Sequence, residues 1–117
     1  MTAMSDHSAR SACLVVTIPS PRQNGDVHVL VAGDIDILTA PELDRRLHAH
    51  LDVLPAGGSL QVDLSRVEHF SAAGLHVLQR AAATARHRRV ALYLYPVSRQ
   101  VRRVLDLCGV DLTATDV

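Results

Sequence analysis

Val62-Asp63-Leu64-Ser65-Arg66-Val67-Glu68-His69-Phe70-Ser71-Ala72-Ala73-Gly74-Leu75 is the stretch that decides the fold of this 117-residue chain. An apolar, β-prone run gives way to a short polar turn that opens directly into a helix. Such a junction gathers unpaired backbone N–H groups and suits an anion or a phosphorylated hydroxyl. At its mouth stand Ser71, Ala72 and Ala73, and the two alanines carry no hydroxyl to modify.

Outward from this junction, the remaining elements follow from periodicity and punctuation. Leu14–Ile18 reads as a first strand, stopped by Pro19 and Pro21. Asn24-Gly25 signals a hairpin turn into Val27–Ala32, where valines alternate with other residues, and Gly33-Asp34-Ile35-Asp36 breaks that strand. Thr39-Ala40-Pro41-Glu42 has the form of a capping box with proline in the first turn. It opens a helix with Leu43, Leu47, Leu51 and Leu54 on one stripe, ended by Pro55 and Gly57-Gly58. Leu60–Leu64 is the next strand. The helix from Ser71 turns Leu75, Leu78, Ala82 and Ala85 inward. Val90–Leu94 is a strand closed by Pro96, and a last helix puts Val97, Val101, Val104, Leu105 and Cys108 on one face before Gly109. The order ββαβαβα implies an α/β fold, a mixed sheet of four to five strands with packed crossover helices. Residues 1–12 read as a flexible tail and 13–117 as one domain.

Composition narrows the function. Twelve arginines balance twelve acids, lysine is absent, and the aromatics are one Phe and two Tyr, so the core is Leu, Val and Ala. Neutrality gives no general argument for nucleic acid or membrane. The charge is uneven, with seven arginines and no acid from Arg80 to Arg103, and four acids and no arginine from Asp26 to Glu42. Such blocks are either solvated surface or a docking field. Cys13 and Cys108 match no metal spacing and read as free thiols of a cytoplasmic protein. The polar start Met1–Arg10 lacks the apolar centre of a signal peptide, and no run reaches membrane-spanning length. His48 and His50 point to different helix faces, and His69 and His76 are split by the strand-to-helix junction, so no metal set assembles. No phosphate loop or nucleophile elbow is present, and no enzyme activity or cofactor is expected.

The order of elements, the run from Gly33 to Leu43, and Val62-Asp63-Leu64-Ser65 with Ala73-Gly74-Leu75 resemble the STAS domain family, closest to the bacterial anti-sigma factor antagonists. The resemblance runs from about Leu14 to Leu112. It implies a partner, an anti-sigma factor with an ATP-binding serine-kinase domain, whose capture frees a sigma factor. In such antagonists the kinase phosphorylates a Ser or Thr at the start of the second helix and a phosphatase restores binding. The family pattern there, Asp-Ser-(Ser/Thr/Ala)-Gly-Leu, puts Ser71 at the Asp position and Ala72 at the acceptor position, with Gly74 and Leu75 matching. A phosphate adds about −1.5 to −2 charges, ample to reverse docking, and a methyl cannot accept it. Ser71 reads as the helix N-cap or as a substitute acceptor, with Ser65 a weaker candidate. The resemblance places Asp36 and Thr39 beside the acceptor. Thr39 also fits helix capping, Asp36 has no obvious capping duty, and Asp34 is a contact or a solvated loop acid. The implied partner surface is thus Asp34, Asp36, Thr39, Ser71, Ala72 and Gly74. His69, where the family often has a bulky apolar residue, is a core histidine or a partly exposed replacement. The same family also implies two other readings: an accessory subunit of a lipid-transport ATPase complex, and a small-molecule or nucleotide sensor.

Overall fold

The computed structural model describes residues 13–18 and 25–108. The tail over 1–12, the stops at Pro19 and Pro21, Asn24, Gly109 and the rest of the domain to 117 lie outside them. Four strands, β1 (Cys13–Ile18), β2 (Asp26–Ile35), β3 (Ser59–Phe70) and β4 (Ala91–Val97), form one sheet in that order. β1 pairs antiparallel with β2, and β2, β3 and β4 run parallel. Helix α1 (Ala40–Val53) joins β2 to β3, α2 (Ala72–Arg88) joins β3 to β4, and α3 (Arg99–Leu107) follows β4. The expected element order and mixed α/β sheet are present, with four strands.

One face of the sheet is apolar at alternate positions. Val29, Val31, Leu60, Val62, Leu64, Leu92 and Leu94 are all buried, as the period of a strand requires. Against it lie the leucine stripe of α1, Leu43, Leu47, Leu51 and Leu54, and the stripe of α2, Leu75, Leu78, Ala82 and Ala85, each buried. Ala81, Ala82 and Ala85 on α2 have short side chains, which lets it pack beside α1. Each buried leucine contributes about 1.5–3 kcal/mol. Arg80 reaches Asp44 at 3.3 Å and His48 meets Thr84 at 3.0 Å, tying the two helices together.

Three boundaries differ from the sequence expectation. First, the polar turn expected after Leu64 is strand, and β3 runs unbroken to Phe70. Its buried positions change spacing, from every second residue up to Leu64 to every third at Val67 and Phe70. Register shifts opposite Leu30/Ala32 and Gly33/Asp34 insert extra residues into β3 and leave Ser65 and Arg66 exposed. The Asp63 carboxylate steadies the first of these by accepting from Ser65 N at 2.9 Å and Ser65 Oγ at 2.6 Å. Second, Gly33-Asp34-Ile35 does not end β2. Gly33 takes φ +100°, open to glycine, and the strand continues to Ile35. Third, β4 includes Pro96 and Val97, tolerated on an edge strand. Val97 is therefore not on α3, and Cys108 is exposed at its end, so the buried face of α3 is Val101 and Leu105, with Val104 half-buried.

Candidate docking site

β2 and β3 are parallel, so their C-terminal ends lie together and deliver the starts of α1 and α2 to one edge of the molecule. Ser71 N donates to Ile35 O at 3.0 Å, joining the two junctions directly.

At the start of α1 the polar groups are fully engaged. The Asp36 carboxylate accepts from Leu38 N at 2.9 Å and from Thr39 N at 3.1 Å. The buried Thr39 hydroxyl donates to Asp34 O at 2.8 Å and accepts from Asp36 N at 2.9 Å. Asp36 O takes Ala40 N at 2.8 Å. The expected capping box does not form. Thr39 already has helical backbone angles and makes no side-chain cap bond, and Glu42 turns outward to Arg45 and Arg46 at 2.7 and 2.9 Å. Those hydrogen bonds hold the Glu42 carboxyl below the usual carboxylate range. The capping is done one turn earlier by Asp36, the residue for which the sequence suggested no such duty. Asp at the head of a short turn, with N–H groups two and three residues on, was the available signal.

The turn that Asp36 holds thrusts Ile37 and Leu38 into solvent, 77% and 73% exposed. Sequence reading missed this apolar pair. Two large apolar residues confined between Asp36 and Thr39, in a turn too tight to bury them, were the sign. Asp34, opposite His69 in the β2–β3 register, accepts from or pairs with His69 Nδ1 at 3.0 Å, and the imidazole itself stays largely in solvent. His69 is thus not a core residue. Cys13 lies half-buried near this acidic corner. Burial, then the charges of Glu42, Asp36 and Asp34, push its thiol pKa up.

At the start of α2 the arrangement is reversed. Ser71 has the extended backbone of an N-cap, but its hydroxyl makes no side-chain cap bond. Its Oγ is buried without a hydrogen-bond partner among the described residues, so the expected hydroxyl cap is absent. Ala72 beside it is exposed. Gly74, expected on the contact surface, is buried beneath it: a Cβ there would stand 2.7 Å from Ile35 Cγ2 and 2.8 Å from Phe70 Cε1. Gly74 therefore lets α2 settle onto the ends of β2 and β3. Thr39 is likewise beneath the surface, at 8% exposure. The outward-facing members are Ala72, Ile37 and Leu38, with Asp34, Asp36 and Ser71 half-buried between them.

Next to this edge, a groove of about 340 Å³ runs between the first turns of α1 and α2, with Ile37, Pro41, Ala73 and Val77 as its apolar lining and Asp44 and Arg80 as its charged part. The surface is apolar with charged margins, an arrangement common in protein-binding surfaces. Among the described residues no group of three His, Cys, Asp or Glu could hold a metal ion, and no helix is long and apolar enough to cross a membrane.

Comparison with known proteins agrees with the fold. Residues 20–112 match the family model described as Mlab, STAS domain. An anti-sigma-B factor antagonist of Listeria monocytogenes is 30% identical over 88 residues, 75% of this chain and 75% of that protein. The crystal structure of an anti-sigma factor antagonist from Mycobacterium paratuberculosis superposes with a TM-score of 0.66 at 25% identity, over 84% of this chain and 79% of that one. The unphosphorylated anti-sigma factor antagonist SpoIIAA shares the fold, with a TM-score of 0.63 at 12% identity over 80% and 81% of the two chains.

Proposed function

The chain belongs to the STAS domain family, and from that premise we propose that it is an anti-sigma factor antagonist that docks its partner without a phosphate switch at residue 72. The observation that carries this reading is the exposed methyl of Ala72 beside the exposed side chains of Ile37 and Leu38. The names of the relatives support the partner class, an anti-sigma factor, and we take it to be of the ATP-binding serine-kinase type. The contact surface is Ile37, Leu38 and Ala72, with Asp34, Asp36 and Ser71 between them and Thr39 and Gly74 supporting them from below.

The mouth of α2 offers no acceptor to a kinase: Ala72 has no hydroxyl, and the Ser71 Oγ is buried. Ser65, the weaker candidate, is exposed six residues earlier on β3, with its hydroxyl donated to Asp63 at 2.6 Å. A partner kinase that captures this chain therefore has no acceptor at the site with which to expel it, and release is governed by the amount of antagonist. Purified chain should bind its cognate anti-sigma factor equally well before and after incubation with ATP. Ala72→Glu, which sets a carboxylate in the apolar contact, should weaken binding by about 2–4 kcal/mol, and Ala72→Ser should bind until ATP is added. Equal affinity of the Glu variant would remove the assigned surface. Phosphate found on Ser71 of the parent would remove the switchless reading. A second reading, an accessory subunit of a lipid-transport ATPase complex, also draws on Ala72, because a permanently assembled subunit needs no acceptor hydroxyl. Co-purification with transporter subunits in place of a kinase would favour it.

A further inference from the structure

The face of the sheet turned away from α1 and α2 holds a second feature. Gln61 and Tyr93 are opposite one another in the β3–β4 register, and each alternates with buried leucines and valines, so both lie on the face turned away from α1 and α2, beside α3. Tyr95, two residues on, shares that face. The tyrosines are 41% and 66% exposed, whereas Phe70, the remaining aromatic of the chain, is buried. Gln61 Nε2 donates to Tyr95 O at 2.9 Å and ties the two strands together below the rings. Arg102 of α3 joins Gln61, Tyr93 and Tyr95 around a hollow of about 480 Å³.

The charge around the hollow is positive in excess, three arginines of α3 against Asp106 on the same helix and Asp63, which follows Gln61 by two on the same face of β3. Arg99, Arg102 and Arg103 are exposed and make no ion pair among the described residues, in contrast to Arg45, Arg46 and Arg80. Asp106, one turn beyond Arg102, is the one carboxylate on α3 and makes no ion pair among the described residues. Tyrosine and arginine are the residues that most often anchor protein interfaces, and here they surround a concavity backed by a rigid sheet. A polyanion such as RNA is favoured by many distributed cations, but this chain has no lysine and balances twelve arginines with twelve acids. The local excess suits a short acidic segment.

We propose that the hollow formed by Gln61, Tyr93, Tyr95 and Arg102 is a second docking surface, for an acidic segment of a partner protein that carries one aromatic side chain. The aromatic ring lies against Tyr93 and Tyr95, and flanking Asp or Glu carboxylates meet Arg102 and its neighbours Arg99 and Arg103. Phe70, at the Ala72 edge, lies nine residues along β3 from Gln61, two of them taken up by the register shifts, which leaves on the order of 23 Å at about 3.3 Å per residue. The two surfaces can therefore be occupied together, and this proposal stands apart from the anti-sigma factor reading.

The test is a nuclear magnetic resonance titration of the isotope-labelled full chain. Three probes are compared: a short synthetic peptide with Phe among Asp and Glu, the same peptide with Lys for each acid, and oligouridylate. The acidic peptide should shift the signals of Gln61, Tyr93, Tyr95 and Arg102, and binding should weaken as salt rises. Arg102→Glu and Tyr95→Ala, both at exposed positions, should each cut the affinity about tenfold while the remaining spectrum stays folded. Silence at those four residues, equal binding of the Lys peptide, or stronger binding of oligouridylate would each overturn the proposal.

Discussion

The starts of α1 and α2 meet at one edge of the sheet and are built in opposite ways. At α1 the Asp36 carboxylate and the Thr39 hydroxyl are bonded to almost every backbone group within reach. At α2 the Ser71 hydroxyl bonds to nothing among the described residues, and the helix is located by packing, with Gly74 against Ile35 and Phe70. The first start is held by polar bonds and pushes an apolar pair outward. The second is held from beneath by close contact and leaves Ala72 bare. A docking edge needs both: a rigid turn to present Ile37 and Leu38, and a helix end whose outer surface is free to be covered.

If packing alone locates α2, the largest loss should come from filling Gly74. Gly74→Val brings a branched side chain to where a Cβ is already 2.7 Å from Ile35. Overpacking of this kind costs about 3 kcal/mol, a fall on the order of 15 °C in Tm for a domain of this size. Thermal unfolding followed by circular dichroism reads it directly. An unchanged Tm would mean that α2 is free to lift from the sheet and that the contact does not set its position.

The polar lock of α1 should yield less. Thr39→Val preserves shape but leaves Asp36 N–H and Asp34 C=O without the hydroxyl, at a cost of about 1–3 kcal/mol. Asp36→Ala should cost about 1 kcal/mol, the usual value of a lost cap, because the freed N–H of exposed Leu38 can turn to water. The order of the two separates a buried lock from a surface cap. If Asp36→Ala proved the more damaging, the carboxylate and not Thr39 would be the centre of that turn.

Much of the fold was legible because burial obeys simple periods over most of the chain. Leu60, Val62 and Leu64 alternate, and Leu43, Leu47 and Leu51 recur at helical spacing. The reading failed where a bulge changed the period, since Leu64, Val67 and Phe70 are three apart and look like turn residues when judged by alternation. The docking edge was legible in position but not in its parts. Ala72 was found by its place in a motif, whereas Ile37 and Leu38 were missed because apolar residues are expected inside, and only the Asp36 turn forces them out. Thr39-Ala40-Pro41-Glu42 has the composition of a capping box, yet its glutamate found two arginines on its own helix. Composition names candidates for a bond, and neighbours in space choose among them.

The smallest effect is the sharpest test of the contrast. Replacing a serine N-cap by alanine ordinarily costs about 0.5–2 kcal/mol, because a helix N–H loses its acceptor. Ser71 occupies the N-cap position of α2, but no helix N–H uses its hydroxyl. Ser71→Ala therefore removes no bond, and it relieves a buried hydroxyl of its desolvation, so stability should stay within about 0.5 kcal/mol of the parent or rise. Chemical denaturation resolves a difference of this size when midpoints are compared at a common slope. A loss above about 1 kcal/mol would mean that the hydroxyl does cap α2 in solution. The two helix starts would then be alike, and the free outer end of α2 would no longer be explained by packing alone.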